Sequence, residues 1–232
     1  MAPFVAGIMR ALADALALPG PVVEYGSYRG GARAGDPDLR PLFPGKVFLG
    51  VDARPGRGVD LVAPAEALPI ADRSVGTFIA LNALQHVGRF WLALEHIRRV
   101  LRPDGVIILC MPFHERIAGG PSDYWRFAPD GFDLLLEDYT QRLLGWQGTP
   151  KRPLHVWAAG FGPYYPLLSG AQLGHLRRCL GEEAREPLPF LSRVRAGLAR
   201  WLSGGRAAEA SLFRNEWGLD YRGPDAASAL AA

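Results

Sequence analysis

The most informative segment of the 232-residue sequence is VVEYGSYRG, residues 22–30, in which a short apolar run ends at a glycine. Val22 to Tyr25 have the pattern of a buried strand, and Gly26 begins a turn. Glycines directly after a strand let the backbone approach a ligand closely, and the exposed N–H groups there suit an anionic group. Taken alone, the segment is equally well explained by a simple turn.

Further apolar runs of strand length follow along the chain. We predict additional strands at residues 46–51, 59–62, 75–81, 105–111, 140–146 and 154–159. Phe90 to Leu101 carries apolar residues on one helical face, and RPDG at residues 102–105 ends that helix in a turn. Pro129 begins another helix. Apolar strands separated by helices predict a mostly parallel sheet that is covered on both faces.

In a parallel sheet of this kind, ligands bind outside the carboxyl ends of the strands. Functional residues are therefore expected just after Tyr25, Val51, Leu81 and Met111. Asp52 ends the second strand, where a carboxylate can accept both hydroxyls of a ribose. The glycine turn after Tyr25 indicates a ligand site only in combination with Asp52 at the end of the second strand.

Together these segments resemble the class I S-adenosylmethionine-dependent methyltransferases, over roughly residues 20–137. The resemblance is carried, in the family's order, by VExGxxxG at 23–30, GVD at 50–52, AEALPIADRSV at 65–75, NALQHV at 82–87 and RVLRPDG at 99–105. SDYWRFAPDG at 122–131 is similar to a bacterial subgroup that resembles methyltransferase domain 11. The resemblance implies a Rossmann-like, doubly wound α/β fold with seven strands in the order 3-2-1-4-5-7-6, spanning residues 1–160.

The resemblance also implies that S-adenosyl-L-methionine is the cofactor, and it implies roles for individual residues. The methionine end of the cofactor would be surrounded by Glu24, Gly26, Ser27 and Gly30. The ribose would be bound by Asp52, and the adenine would lie beside Ala53 and Arg54. The remaining pocket would be formed by the backbone of Ala65 at the adenine edge, by Glu66 nearby and by Asn82 below the sulfonium.

Two positions depart from the family's pattern. The family has a glycine in the middle of the first motif, where this chain has Tyr28. The family usually has an acidic residue at the position before Ala65, where this chain has Pro64. Tyr28 could crowd the pocket, or it could turn outward and offer an aromatic face to the cationic sulfonium. Pro64 removes a potential partner of the adenine amino group.

Methyl transfer to a hydroxyl oxygen requires a group that accepts the proton. His86 follows the fourth strand and His114 follows the fifth, so both are candidate catalytic residues. A structural role for His86 and a solvent-exposed position for His114 are the alternatives. His155 is predicted to be a half-buried strand residue.

A polar and aromatic cluster follows the sequence GGP at residues 119–121, which could act as the hinge of a lid. Tyr124 and Arg126 are expected to bind the substrate, while Trp125 and Phe127 anchor the segment. In the alternative interpretation, an Asp123–Arg126 ion pair is purely structural.

These features predict methyl transfer to a small-molecule or sugar acceptor, with oxygen as the acceptor atom. The segment NALQ at residues 82–85 replaces the Asn/Asp-Pro-Pro-Tyr type of motif, which argues against transfer to the amino groups of nucleic-acid bases. Two alternatives stay open at this point. They are a non-catalytic binding module with a degenerate cofactor pocket, and a nucleotide-binding oxidoreductase.

Composition narrows the remaining possibilities. The formal net charge is only +3 and the chain has 2 cysteines, so neither a phosphate-tracking surface nor a disulfide scaffold is indicated. We find no metal-ligand spacing and no apolar run that could cross a bilayer, and we expect a cytoplasmic protein. Residues 161–232 are expected to form a helical extension and frayed tail. An amphipathic stripe of that extension (Leu191, Val194, Leu198 and Trp201) would pack on the core or on a second copy as a homodimer, with membrane-surface binding as the alternative.

Overall fold

In the described part of the chain, one eight-stranded sheet is covered by four α-helices. The structure is a computed structural model, and it describes residues 3–30, 36–115, 117, 122–184 and 216–224. The strands are β1 Val22–Tyr25, β2 Phe48–Asp52, β3 Leu61–Val62, β4 Val75–Leu81, β5 Leu101–Pro112, β6 Gln141–Thr149, β7 Arg152–Phe161 and β8 Trp217–Arg222. The helices are α1 Pro3–Ala15, α2 Phe90–Val100, α3 Pro129–Leu135 and α4 Gly170–Ala184.

The strand order confirms the expected Rossmann-like fold. The order is β3-β2-β1-β4-β5-β7-β6-β8, with parallel pairing from β3 to β5 and antiparallel pairing from β5 to β8. The sheet has one strand more than predicted, because β8 pairs with β6 at the far edge. Leu219 and Tyr221 of β8 are buried while Asp220 and Arg222 are exposed, which is the alternation of a strand with one covered face.

The two faces of the sheet bury separate cores. Helices α1 and α4 cover one face, where Ile108 and Cys110 of β5 are buried. Helices α2 and α3 cover the other face, where Ile107 and Leu109 of the same strand are buried. Successive residues of β5 therefore enter opposite cores, which explains the continuously apolar strands of the sequence.

Strand β5 begins earlier than predicted. Leu101 pairs with Val75 and Val106 pairs with Thr77, so the register shifts between these two pairs. The residues between Leu101 and Val106, which were expected to form only a turn, are the bulged part of the strand.

The parallel register brings the predicted site residues to one edge. Tyr25 of β1 is opposite Val51 of β2 and Ala80 of β4, so the residues that follow these strands emerge side by side. Of the described residues between β1 and β2, only Arg40–Leu42 are helical, as a short 3₁₀ helix. Among the described residues, no α-helix therefore begins directly after the turn that follows β1.

The described parts of the expected extension belong to the same sheet and core. Helix α4 packs against α1, and β8 extends the sheet at β6. The amphipathic stripe at residues 191–201, and with it the predicted homodimer contact, lies outside the described residues. In the part of the chain that the structure describes, every helix is too short or too polar to span a membrane.

Candidate functional site

A cavity of about 210 Å³ lies at the carboxyl ends of β1, β2 and β4. Its wall comes from the ends of β1 and β2 and from the segment that includes the 3₁₀ helix Leu84–His86 after β4. The lining residues are Tyr25, Gly26, Asp52, Ala53, Arg54, Ala83, His86 and Val87. Five of the residues predicted for the site therefore line this cavity, namely Gly26, Asp52, Ala53, Arg54 and His86.

The turn after β1 folds back onto β2. Gly26 has a φ of 85°, in the left-handed region that favours glycine. The N–H groups of Gly26 and Ser27 both donate to the carbonyl oxygen of Val51, at 2.8 and 3.2 Å. The Ser27 hydroxyl is buried without a hydrogen-bond partner among the described residues and packs beside Gly50. The turn thus exposes the Gly26 backbone to the cavity. The Ser27 side chain, which was predicted to contact the cofactor, packs beside Gly50 and does not line the cavity.

Asp52 is buried at the end of β2 and borders the cavity. Its Oδ2 accepts a hydrogen bond from the Tyr28 N–H at 3.3 Å, and its Oδ1 accepts one from the Arg54 N–H at 3.0 Å. The Arg54 Nε lies a further 3.4 Å from Oδ1. A carboxylate offers about four acceptor sites. Asp52 is therefore fixed in place and keeps acceptor capacity for hydroxyl groups of a ligand.

Tyr28 turns outward and does not line the cavity. The Arg54 guanidinium lies over its ring, with 4.4 Å between the guanidinium carbon and the ring centroid. The ring edge packs on Gly56 and the hydroxyl end packs on Gly30. Gly30 therefore makes room for the Tyr28 side chain, which differs from its expected contact with the cofactor.

Glu24 forms a buried ion pair with Arg29. The Arg29 Nη2 lies 2.9 Å from the Glu24 Oε2, and both side chains are less than a tenth exposed, at 7% and 6%. Burial raises the pKa of Glu24, and the attraction of Arg29 opposes that shift. Glu24 was expected beside the methionine end of the cofactor. The structure instead commits its carboxylate to Arg29, because burial at this position requires a cation.

Tyr25 is a site residue that the sequence analysis missed. Its hydroxyl oxygen accepts a hydrogen bond from the Ala65 N–H at 3.1 Å, and its side chain also lines the cavity. Burial raises the pKa of Tyr25 to about 12, so the phenol stays neutral. Ala65 was expected to offer a backbone contact to the adenine edge, and of its backbone groups the N–H is bonded to the Tyr25 hydroxyl. A hydroxyl on a strand end beside a short 3₁₀ helix leaves no signature in the sequence.

The predicted residues Glu66 and Asn82 lie next to the cavity without lining it. Glu66 is half-buried in the 3₁₀ helix Ala65–Ala67. Asn82 follows β4 with a φ of 49°, and its N–H donates to the carbonyl oxygen of Cys110 at 2.8 Å. Asn82 therefore shapes the turn that carries Ala83 to His86 to the cavity.

His86 is half-buried in the cavity wall, and both ring nitrogens are engaged. Nδ1 lies 2.8 Å from the carbonyl oxygen of Ser122, so it carries the proton and donates. Nε2 lies 3.2 Å from the Gln85 side-chain nitrogen, from which it accepts. The first of these bonds ties residues 122–126 to the end of β4. His86 is thus held in the cavity wall by Ser122 through Nδ1 and contacts the Gln85 amide through Nε2.

The segment after Ser122 is anchored as expected by its aromatic residues. The Trp125 Nε1 donates to the carbonyl oxygen of Val87 at 2.9 Å. Trp125 and Phe127 both contact the ring of Phe90, with ring centroids 4.9 Å apart in each pair. The proposed hinge at residues 119–121 lies outside the described residues.

The two residues predicted to bind the substrate, Tyr124 and Arg126, differ in whether their side chains are free to contact it. Arg126 makes a two-pronged ion pair with Asp123, in which Nη2 and Oδ2 are 2.6 Å apart. The Asp123 carboxylate holds the pKa of Arg126 above its usual range. Tyr124 is 56% exposed, and its ring lies beside Gly88 next to the cavity wall. The structure favours a structural role for Arg126 and leaves Tyr124 accessible to a substrate.

His114 is exposed after β5 and is not part of the cavity wall. Its N–H lies 3.3 Å from the carbonyl oxygen of Leu154 and donates to it. His155 of β7 is fully buried, whereas the sequence predicted half-burial. Its Nδ1 lies 3.1 Å from the Gln147 Oε1 and its Nε2 lies 3.4 Å from the Glu115 Oε1.

The chemistry of the cavity fits the ribose portion of S-adenosylmethionine. Asp52 supplies a fixed carboxylate, Gly26 supplies bare backbone, and Ala53 leaves space beside them. The volume of about 210 Å³ is smaller than the roughly 300–1,000 Å³ typical of small-molecule sites. The cavity therefore accommodates part of the cofactor, and the rest would extend beyond its wall. Arg54, whose side chain is 48% exposed, is a wall residue that can turn toward solvent.

A family model described as "Methyltransferase domain" matches residues 49–109. This match begins within β2 and includes Asp52, Ala65, Glu66, Asn82 and His86. A segment of 105 residues is 29% identical to highly reducing polyketide synthase 40 of Fusarium pseudograminearum. The aligned part is 42% of this chain and 4% of that protein, so the chain corresponds to a small portion of the synthase.

Two solved structures share the fold at low sequence identity. One is a possible histamine N-methyltransferase from Thermotoga maritima, with a TM-score of 0.51 and 17% identity, covering 68% of this chain and 89% of that chain. The other is 1,6-didemethyltoxoflavin-N1-methyltransferase from Burkholderia thailandensis, solved with 1,6-didemethyltoxoflavin and S-adenosylhomocysteine. It has a TM-score of 0.51 and 18% identity, covering 69% of this chain and 78% of that chain. The family match over residues 49–109 and the shared fold are consistent with a class I S-adenosylmethionine-dependent methyltransferase domain.

Proposed function

We propose that the protein transfers the methyl group of S-adenosylmethionine to a hydroxyl oxygen of a small molecule or sugar. The observation that carries this proposal is the position of Asp52. Its buried carboxylate is fixed by two backbone N–H groups and faces the cavity at the ends of β1 and β2. Buried carboxylates are costly unless they have partners, so a carboxylate with acceptor capacity on a cavity wall points to a ligand with hydroxyl groups.

The cavity wall carries both polar and apolar side chains, which suit different parts of the cofactor. Asp52 would bind the ribose hydroxyls, and Ala53 and Arg54 would flank the adenine. Ala83 and Val87 contribute apolar surface on the opposite side. When bound, S-adenosylmethionine supplies a methyl group on a positively charged sulfur. The chain's own task is to align the acceptor and exclude water, which can provide much of the rate.

His86 is the proton acceptor that we propose for a hydroxyl substrate. It lies on the cavity wall, whereas His114 is exposed outside it. The hydroxyl proton would move to the His86 Nε2, displacing the Gln85 amide, and would leave to solvent afterwards. The Nδ1–H remains bonded to the Ser122 carbonyl oxygen, which also stabilises the protonated ring.

Calorimetry tests whether the protein binds S-adenosylmethionine and distinguishes this proposal from the oxidoreductase alternative. We expect S-adenosylmethionine to bind with measurable heat and to raise the melting temperature, and we expect NAD to do neither. If S-adenosylmethionine gives no heat and no rise in melting temperature, the result would support the non-catalytic module with a degenerate pocket. Binding of NAD alone would support the oxidoreductase.

A mass shift of one methyl group on a hydroxylated acceptor tests the reaction. The two solved structures above are named for nitrogen methylation, so amines belong in the same acceptor screen. Transfer to amines alone would contradict the oxygen assignment while leaving the cofactor assignment intact.

Two histidine variants test the proton acceptor. His86→Asn should lower kcat while the affinity for S-adenosylmethionine stays unchanged. His96→Gln, on helix α2, is the matched control and should keep wild-type turnover. If His114→Ala abolishes turnover and His86→Asn does not, the proton acceptor is His114.

A further inference from the structure

Three side chains of metal-ligand type converge where α1 packs on α4. The His175 Nε2 lies 2.9 Å from the Asp14 Oδ2. The Cys179 Sγ lies 3.4 Å from the same oxygen and 3.7 Å from the His175 Nε2. Within the residues that the structure describes, this is the one group of three or more His, Cys, Asp or Glu residues whose ligand atoms lie within 4.8 Å of one another.

The packing of the two helices brings these residues together. His175 and Cys179 are four residues apart on α4, so they lie on the same face of that helix. Asp14 comes from the last turn of α1. Farther along the same contact, Arg10 donates two hydrogen bonds to Glu183, at 2.7 and 2.6 Å. This second contact fixes the register of the two helices independently of the three ligand-type side chains.

Two of the three distances match those of a tetrahedral zinc site, and the third is shorter. With Zn–S of about 2.3 Å and Zn–N or Zn–O of about 2.0–2.1 Å, ligand atoms of such a site lie about 3.6 Å apart for pairs with sulfur and about 3.4 Å apart otherwise. The two observed sulfur distances are 3.4 and 3.7 Å. The distance from His175 to Asp14, 2.9 Å, must widen by about 0.5 Å. Asp14 is 67% exposed and can move by that amount.

The donor set selects among metals. A thiolate and an imidazole suit zinc, whereas magnesium and calcium prefer oxygen ligands only. The charges of an Asp14 carboxylate and a Cys179 thiolate balance those of Zn²⁺. The side chains leave room for a fourth ligand, because Asp14 and Cys179 border a second cavity of about 410 Å³.

We propose that Asp14, His175 and Cys179 bind Zn²⁺, with a water molecule in the fourth position, and that the metal joins α1 to α4. Binding releases the thiol proton of Cys179 to solvent. His175 binds through Nε2 and carries its proton on Nδ1, so the exposed Arg178, now 3.3 Å from Nδ1, must turn away. This site is separate from the cofactor cavity and does not depend on the proposed function.

Cobalt substitution tests the coordination directly. Titration of the metal-free full chain with Co²⁺ should give the absorption of a tetrahedral site and a thiolate-to-cobalt charge-transfer band, saturating at one equivalent. Zn²⁺ should abolish this absorption by displacement. Cys179→Ser should remove the charge-transfer band, and Asp14→Asn should weaken binding at least tenfold. His96→Gln is the control and should behave like the wild type. Absence of the band in the wild type, or its persistence in Cys179→Ser, would overturn the proposal.

Alkylation provides a second measurement that needs no variant. The sequence has 2 cysteines, and Cys110 is fully buried, so iodoacetamide should modify Cys179 first. Zn²⁺ at one equivalent should slow modification of Cys179 at least tenfold, as measured by peptide mass spectrometry. Mg²⁺ at the same concentration should leave the rate unchanged. Equal rates with and without Zn²⁺ would contradict the site.

Discussion

The buried ion pair between Glu24 and Arg29 makes a quantitative prediction about stability. The Arg29 Nη2 and the Glu24 Oε2 are 2.9 Å apart, and the side chains are only 7% and 6% exposed. Replacing one partner leaves the other charge buried and uncompensated, which typically costs about 3–5 kcal/mol. We therefore expect Arg29→Met to lower the free energy of unfolding by about 3–5 kcal/mol at pH 7. At about 2–4 °C per kcal/mol for a chain of this size, the melting temperature should fall by roughly 6–20 °C.

The pH dependence of this loss identifies its electrostatic origin. Burial raises the pKa of Glu24 above its value in the unfolded chain, so folding favours the protonated carboxyl. The contribution of Glu24 to stability is therefore fully present below about pH 4 and is lost as pH rises through the folded pKa. Arg29→Met removes the attraction that opposes the shift. The variant should thus lose more stability at pH 8 than at pH 5.

Urea unfolding followed by circular dichroism measures both effects. Glu24→Gln combined with Arg29→Met removes both charges and should recover a large part of the stability that the single variant loses. A loss below about 1 kcal/mol for Arg29→Met, or the same loss at pH 5 and pH 8, would refute the assignment of a buried, coupled pair.

Three further substitutions test the packing around the site, in the sheet and in helix α4 by the same unfolding measurement. Tyr25→Phe leaves the buried Ala65 N–H without its acceptor and should cost about 1–3 kcal/mol; an unchanged stability would mean that this hydrogen bond contributes nothing. Gly145→Ala places a Cβ against the indole of Trp157 and should cost about 1–3 kcal/mol. Gly174→Ala, in helix α4 with only the Arg178 guanidinium nearby, should instead stabilise the protein by up to about 1 kcal/mol. Equal effects of the two glycine substitutions would contradict the packing described for Gly145.

The sheet and the position of Asp52 at its carboxyl edge could be predicted because each has a local signal. The strands are continuously apolar, since both faces of the sheet are covered, and Asp52 follows one of them directly. Because parallel strands share one carboxyl edge, the sequence order alone brings Gly26 and Asp52 to the same cavity.

The missed features depend on contacts between distant segments. The hydrogen bond from Ala65 to Tyr25 joins a strand end to a short 3₁₀ helix, and no periodicity predicts it. The resemblance implies no role for Arg29, so its pairing with Glu24 became visible only when burial was known.

Two elements were missed for other physical reasons. Strand β8 is only six residues long and lies in the region that was expected to be a helical extension and frayed tail, and it is placed at the edge of the sheet by pairing with β6. His175 and Cys179 have a helical spacing that could have been recognised, but Asp14 joins them only through the packing of α1 on α4.

The central claim is that the Asp52 carboxylate holds the ribose of the methyl donor. It is tested most directly by the affinity for S-adenosylhomocysteine of the wild type, Asp52→Asn and Asp138→Asn, measured by calorimetry. Asp138 is 66% exposed and is the matched control, so its variant should bind like the wild type. Hydrogen bonds to a charged group contribute about 1.5–3 kcal/mol, so Asp52→Asn should weaken binding by about ten- to a hundredfold. Wild-type affinity in a folded Asp52→Asn protein would contradict the account.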